Sequence, residues 1–323
     1  MFAADVLRTP VTILGTGALA TLFGARLARA GHPVTLVGTW SAALAAVADG
    51  GLRVTDEGGT WAAPARAVHA QRAGDVAPAG LVLVLVKSGE TARAAPLAAR
   101  LARIDGLVVT LQNGLGNAER LAAACGTDRV VQGVVTAGGN LVAPGHARAG
   151  GPGQVILGRA PETAARLADV AALLARAGLD VVVRDDIDAV VWLKLAVNCA
   201  INPLAALHGL PNGGLLDDAD LSATLAAAAR EVGAVAAARG IVLGADPAAY
   251  ALDVARRTAA NRSSMLQDVQ RGAPTEVEAI NGAVVREGAR LGVPTPINAR
   301  LLEAVRALDA AAAGSDARRA EVV

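Results

Sequence analysis

A length of 323 residues suits two domains and a sizeable core without disulfide or metal staples. Hydrophobic residues make up 53% of the chain but aromatics only 2%, so much of the apolar content is alanine, which favours closely packed helices. Thirty basic residues against 29 acidic ones leave a net charge of +1, which excludes a global basic surface for nucleic acid.

The segment Met1–Pro10 carries Asp5 and Arg8 and has no apolar signal core. Apolar runs such as Leu81–Val86 fall far short of the ~20 residues that span a bilayer. A cytoplasmic protein without membrane segments is therefore expected.

Val11–Leu14 is a short apolar run of the kind a buried parallel strand needs. It leads into Gly15, Thr16, Gly17, Ala18, Leu19 and Ala20, a G-x-G-x-x-A turn. Helical composition follows to Ala30, Gly31 suits a C-terminal cap, and a second strand begins over Val34–Val37. Strand, glycine turn, helix and strand in this order form the dinucleotide fingerprint. Gly15 permits the tight turn, Gly17 lets backbone approach a pyrophosphate, and Ala20 allows close helix–strand packing. Glycine turns between strand and helix are common. The placement between two strands makes cofactor binding the better reading here.

Two later strands end in residues that suit a ligand. Leu81–Val86 stops at Lys87, and Leu107–Leu111 stops at Gln112-Asn113-Gly114. Ligands of open α/β sheets bind beyond the carboxyl ends of the strands, so Lys87 is a candidate for the cofactor and Asn113 for nicotinamide or substrate. A solvated lysine and an ordinary Asn-Gly turn are the plain alternatives. Further strands are expected over Val131–Thr136, Gln154–Leu157 and Val181–Val183, with a Gly-rich connection around Pro144–Gly153. The first domain is thus placed at 1–185 and a helical domain at 186–323.

In the second half, Ala189–Ile201 reads as a helix apolar all round except at Lys194 and Asn198, with Asn202 continuing the stripe at i, i+4 and i+8. Pro203 is expected to end that helix. An ammonium and two carboxamides on an apolar helix need partners, so the stripe either lines a cleft or meets water. Ser264-x-x-Gln267 and Thr275-x-x-Glu278 each match a capping box, which makes Ser264 an N-cap and Glu276 a first-turn acid on the plain reading. Cys125, Cys199 and the four histidines are scattered without metal-ligand spacing, so no metal site is expected.

With these residues in view, the chain resembles the ketopantoate reductase (2-dehydropantoate 2-reductase) family. The likeness is carried by ILGTGALA at 13–20, VKSGET at 86–91, TLQNGLG at 110–116, WLKLAVNCAINPLAAL at 192–207, NRSSMLQDV at 261–269 and TEVEAINGAV at 275–284. It implies an α/β Rossmann-type dinucleotide-binding domain followed by an all-α C-terminal domain like that of 6-phosphogluconate dehydrogenase. The implied reaction is NADPH-dependent reduction of 2-dehydropantoate to (R)-pantoate, on the way to pantothenate and coenzyme A. By the same resemblance Lys194 matches the proton donor. Asn113, Asn198, Asn202 and Asn212 match substrate-binding asparagines, and Ser264 matches the carboxylate contact. Glu276 matches the acid near cofactor and lysine, while Lys87, Asn113 and Gly138 match cofactor contacts.

The end of the second strand departs from the pattern. It reads Gly38-Thr39-Trp40-Ser41, without the Arg expected for NADP or the acid expected for NAD. NADPH is expected on family precedent, with NADH left open. A relative reducing another small 2-oxo acid, or a non-catalytic NAD(P) sensor, remains an alternative at this point. The Ala-rich helical half also offers a surface for a homodimer.

Overall fold

The computed structural model describes residues 9–136 and 138–320, with side chains to residue 312. All of the N-terminal segment read above except Thr9 and Pro10 therefore lies outside the described residues. The chain forms two compact units. One holds the described residues up to Gln112 with Gly116–Ile187, and the other holds Asn113–Leu115 with the chain from Asp188. The change therefore falls two residues beyond the expected boundary, and a three-residue excursion after Gln112 belongs with the second unit.

In the first unit the elements are β1 (Val11–Leu14), α1 (Ala18–Arg29), β2 (Val34–Gly38), α2 (Ser41–Gly50), β3 (Leu52–Asp56), β4 (Gly59–Ala63), β5 (Arg66–His69) and β6 (Ala79–Val84). They continue with α3 (Thr91–Leu101), β7 (Ala102–Thr110), α4 (Asn117–Cys125), β8 (Val130–Val135), β9 (Gly139–Ala143), β10 (His146–Ala149), β11 (Gln154–Gly158), α5 (Ala164–Arg176) and β12 (Asp180–Arg184). Eight strands build the main sheet in the order β12-β11-β8-β7-β6-β1-β2-β5. All neighbours run parallel except β8 and β11. The chain moves one way from β1 to β2 and β5, and the other way through β6, β7 and β8. The switch point, where ligands of such sheets bind, thus lies between β1 and β6.

Ile13, Leu36, Leu83 and Leu107 are essentially fully buried along this sheet. Each such side chain contributes ~1.5–3 kcal/mol by leaving water. β6 pairs with β1 from Val11↔Leu81 to Leu14↔Val84, so the strand expected over Leu81–Val86 ends two residues early, where β1 itself turns away. β3, β4, β9 and β10 form a second, four-stranded sheet, β4-β3-β10-β9. Its strands are only four or five residues long and mix buried or half-buried with exposed positions, so no extended apolar run marks them in the sequence. The Gly-rich connection at Pro144–Gly153 in fact contains β10, paired antiparallel with β9.

The second unit contains α6 (Ile187–His208), α7 (Ala219–Ala238), α8 (Pro247–Arg257), α9 (Ser264–Gln270), α10 (Asn281–Leu291) and α11 (Pro296–Ala320). Ala228, Ala229 and Ala236 on α7, with Ala251 and Ala255 on α8, are fully buried, so the small side chains let these helices approach closely. α6 and α7 are each long and apolar enough to cross a membrane, which corrects the expectation that no segment reaches that length. Two thirds of the most apolar stretch of α6 is buried inside the protein, as in a core helix.

The helix expected to stop at Pro203 instead continues to His208. Proline at 203 lacks the N–H that would bond the Cys199 carbonyl. Asn281 supplies the replacement: its Nδ2 donates to Cys199 O at 3.1 Å and to Asn298 Oδ1 at 3.0 Å. Asn298 in turn donates to Ala228 O and to Glu231, whose carboxylate also accepts the Ile297 and Asn298 backbone N–H groups at 2.8 and 2.9 Å. Asn281 and Asn298 are completely buried, so this network ties α6, α7, α10 and the start of α11 together.

Candidate active site

At the switch point Gly15 adopts φ +129°, and a Cβ there would lie 2.8 Å from Leu85 O. Only glycine fits this turn. Gly17 caps α1 without a side-chain hydrogen bond, and no acidic residue occupies the first turn of the helix. A Cβ on Gly17 would meet nothing within 4 Å, and the residue is exposed. Backbone N–H groups and the positive end of α1 therefore face open space, which fits a pyrophosphate. Ala20 is fully buried against the sheet, as the fingerprint requires.

Lys87 follows β6 and is exposed at the start of a short 3₁₀ turn, Ser88–Glu90. A directional chain of hydrogen bonds holds this loop. Thr110 Oγ1 donates to Gln112 Oε1 (2.9 Å), and Gln112 Nε2 donates to Val86 O (2.9 Å) and Thr91 Oγ1 (2.8 Å). Thr91 Oγ1 donates to Asn117 Oδ1 (2.7 Å), and Asn117 Nδ2 to Ser88 Oγ (3.3 Å). No single-residue signal in the sequence marks Thr91, Gln112 or Asn117 for this role. At the end of β2, Thr39, Trp40 and Ser41 are exposed, and no charged side chain occupies Gly38–Ser41. Gly138 is likewise exposed, and its carbonyl accepts from Gly150 N at 3.0 Å.

In the second unit α6 carries the polar stripe. Lys194 and Asn198 are half-buried, and Asn202, one turn further, is buried. Asn113 joins them in this unit. Gly114 adopts φ +80°, where a Cβ would lie 2.3 Å from Ala279 O, and Leu115 N donates to that same carbonyl. This tight turn lets Asn113 Nδ2 donate to Glu276 Oε2 at 3.2 Å. Glu276 is buried, and its carboxylate acts electrostatically on Lys194. The turn-forming Asn-Gly and the acid 163 residues further on thus meet at the lysine.

Glu276 is not in the first turn of a helix. The Thr275-x-x-Glu278 segment forms turns before α10: Thr275 Oγ1 accepts from Val277 N at 3.4 Å and donates to Asp309 at 2.7 Å, but no helix follows for it to cap. Ser264 is not an N-cap either. Ser263 holds that position, its Oγ accepting from Leu266 N at 3.2 Å, while Ser264 is the exposed first residue of α9. The Ser264 hydroxyl is thereby released from capping. Asn212 is buried, its N–H donating to Asn261 O at 2.9 Å and Gly213 N to Ala259 O at 3.0 Å. The Asn212 turn is thus stitched to the segment leading into Ser264.

Burial pulls the Lys194 ammonium down from the usual lysine range to about 8, although the Glu276 carboxylate pulls it back up. The group is still protonated at neutral pH and is a far better proton donor than an exposed lysine. Turnover that needs this proton should therefore fall as pH rises through about 8. Glu276→Gln removes the influence that raises the lysine's proton affinity, so the alkaline limb should move to lower pH. A pH–rate profile of both proteins checks this, and a limb that stays in place would detach Glu276 from the lysine.

Two family models match the chain. The one described as ketopantoate reductase PanE/ApbA covers residues 11–162, and its C-terminal counterpart covers 186–309. A 2-dehydropantoate 2-reductase of Halobacterium salinarum is 39% identical over 92% of this chain and 97% of its own length. One from Archaeoglobus fulgidus is 38% identical over 93% and 97%. The crystal structure of a PanE/ApbA family ketopantoate reductase from Ralstonia eutropha superposes with a TM-score of 0.85 at 33% identity, covering 94% of this chain and 99% of that one.

Proposed function

This chain belongs to the ketopantoate reductase family, and we propose that it reduces 2-dehydropantoate to (R)-pantoate with NADPH in the cytoplasm. The observation that carries the reading is the buried Glu276 carboxylate joined to Asn113 and acting on a lysine held at about 8. A protein that only senses redox state has no use for such an acid.

Gly15–Ala20 and the α1 N-terminus would hold the cofactor's pyrophosphate, with Lys87 and Gly138 as further contacts. The nicotinamide, when bound, supplies hydride to the substrate's ketone carbon. As charge grows on the ketone oxygen, the Lys194 ammonium stabilises it and donates the proton that completes the new hydroxyl. Glu276 and Asn113 orient and bias that ammonium. Asn198, Asn202 and Asn212 would bind the polar groups of the substrate, and the exposed Ser264 hydroxyl would take its carboxylate. The preference for NADPH rests on Thr39 and Ser41, whose hydroxyls can donate to a 2′-phosphate where no acid repels it.

The test is cofactor oxidation, followed by absorbance, with purified protein, 2-dehydropantoate and either NADPH or NADH. Efficient turnover with NADPH is expected. A tenfold preference for NADH would overturn the cofactor assignment, and faster turnover of pyruvate or 2-oxoisovalerate would overturn the substrate.

A further inference from the structure

We infer that Thr258, a residue at the C-terminal cap of α8, sets substrate preference by fixing which end of the Asn212 carboxamide faces the substrate. The inference rests on the proposed substrate-binding role of Asn212.

An asparagine side chain offers a donor end and an acceptor end, and either can be turned toward a ligand. Here the choice is made by the neighbour. Thr258 Oγ1 donates its only proton back along α8 to Val254 O, at 2.7 Å. Toward Asn212 that oxygen can then act only as an acceptor, so the donor end of the carboxamide must face it. Asn212 Nδ2 accordingly donates to Thr258 Oγ1 at 2.9 Å. The backbone cannot relax the arrangement, because Asn212 N is bonded to Asn261 O and Gly213 N to Ala259 O.

The other end of the carboxamide, Asn212 Oδ1, is buried and has no hydrogen-bond partner in the protein, although only 8% of the residue is exposed. A buried acceptor of this kind is completed by a ligand that donates. A carboxylate or ketone oxygen cannot donate, whereas an alcohol can. Asn212 is thereby tuned to the terminal hydroxyl of a hydroxylated 2-oxo acid, and a substrate lacking that hydroxyl leaves the oxygen unpaired. Sites built in this way discriminate strongly against the analogue without the donor. Thr258 does not touch the substrate; it is a positioning residue acting through Asn212.

The discriminating pair of substrates is 2-dehydropantoate and 3,3-dimethyl-2-oxobutanoate, which differ only by that hydroxyl oxygen. The readout is the ratio of their kcat/KM values in one preparation, which is independent of the fraction of folded enzyme. Thr258→Val keeps the shape, removes the acceptor and frees the carboxamide to rotate. It should lower the ratio about tenfold or more, by slowing 2-dehydropantoate and not the analogue. Thr258→Ser should keep the wild-type ratio, and Asn212→Ala should lose it. If Asn212→Ala lowers the ratio but Thr258→Val does not, the role of Thr258 is overturned while Asn212 stays in the site. If Asn212→Ala leaves the ratio unchanged, the substrate-binding role of Asn212 fails, and the inference with it. Equal turnover of both substrates by the unaltered protein would overturn hydroxyl recognition altogether.

Discussion

Replacement of Lys194 by Ala is expected to lower kcat by ~10²–10⁴-fold with 2-dehydropantoate, while the protein stays folded. On the proposed mechanism two effects disappear together: the positive charge that would stabilise the developing alkoxide, and the proton that would neutralise it. The fold should survive because the alanine keeps α6 helical and relieves the cost of a desolvated ammonium. Asn113 Nδ2 continues to donate to the buried Glu276 carboxylate. Lys194→Arg is not expected to restore the rate, since a guanidinium is a much weaker acid and carries a wider head group. The measurement is steady-state turnover with saturating cofactor, beside a thermal melt. Turnover near the unaltered level would remove the lysine from the chemistry, and a collapsed melt would show that it serves the fold instead.

The second large effect is on stability. Asn281→Leu should destabilise the protein by roughly 2–4 kcal/mol, because it strands two buried acceptors, Cys199 O and Asn298 Oδ1, each worth ~1–3 kcal/mol. A double-mutant cycle isolates the contribution of the missing N–H. Pro203→Ala restores a backbone N–H that can bond Cys199 O within the helix. It should therefore recover part of the loss in the Asn281→Leu background, beyond whatever it does alone. Denaturant midpoints of the four proteins measure the coupling. Strict additivity would mean that Asn281 does not stand in for the missing N–H, and that α6 tolerates Pro203 for another reason.

The two cases differ in how visible they were beforehand. Lys194, Asn198 and Asn202 could be read from spacing alone, because an α-helix repeats every 3.6 residues and a polar stripe on an apolar helix stands out. The glycine turn was equally legible, since positive φ and close backbone approach admit few residues other than glycine. Asn281, in contrast, lies 82 positions from the carbonyl it serves, and nothing local distinguishes it from an ordinary helix-start asparagine. Without that partner in view, Pro203 could only be read as a helix end.

The capping boxes failed for a related reason. Ser263 and Ser264 are adjacent hydroxyls with the same intrinsic ability to cap, and the burial of Ser263 beside Met265 and Leu266 selects between them. Thr275 and Glu276 likewise have good local helix-start chemistry. Asp309 nevertheless takes the threonine hydroxyl, and Asn113 reaches the Glu276 carboxylate. The small sheet of β3, β4, β9 and β10 leaves little mark in the sequence, because its strands are only four or five residues long and partly exposed.

What the amino-acid order determined by itself was local: the strand–turn–helix at the chain start, the helical character of the second half, and the polar line on α6. Those features follow from backbone sterics and hydrophobic periodicity, which act over a few residues. Only the tertiary structure decided the path of α6 through Pro203, the release of Ser264, the meeting of Asn113, Glu276 and Lys194, and the orientation of the Asn212 carboxamide. Ser264 is released by a local choice, the cap going to the buried neighbour Ser263, and each of the others depends on a buried polar group finding a partner far along the chain. Burial makes leaving that group unpaired costly, and no short stretch of sequence can say where its partner lies.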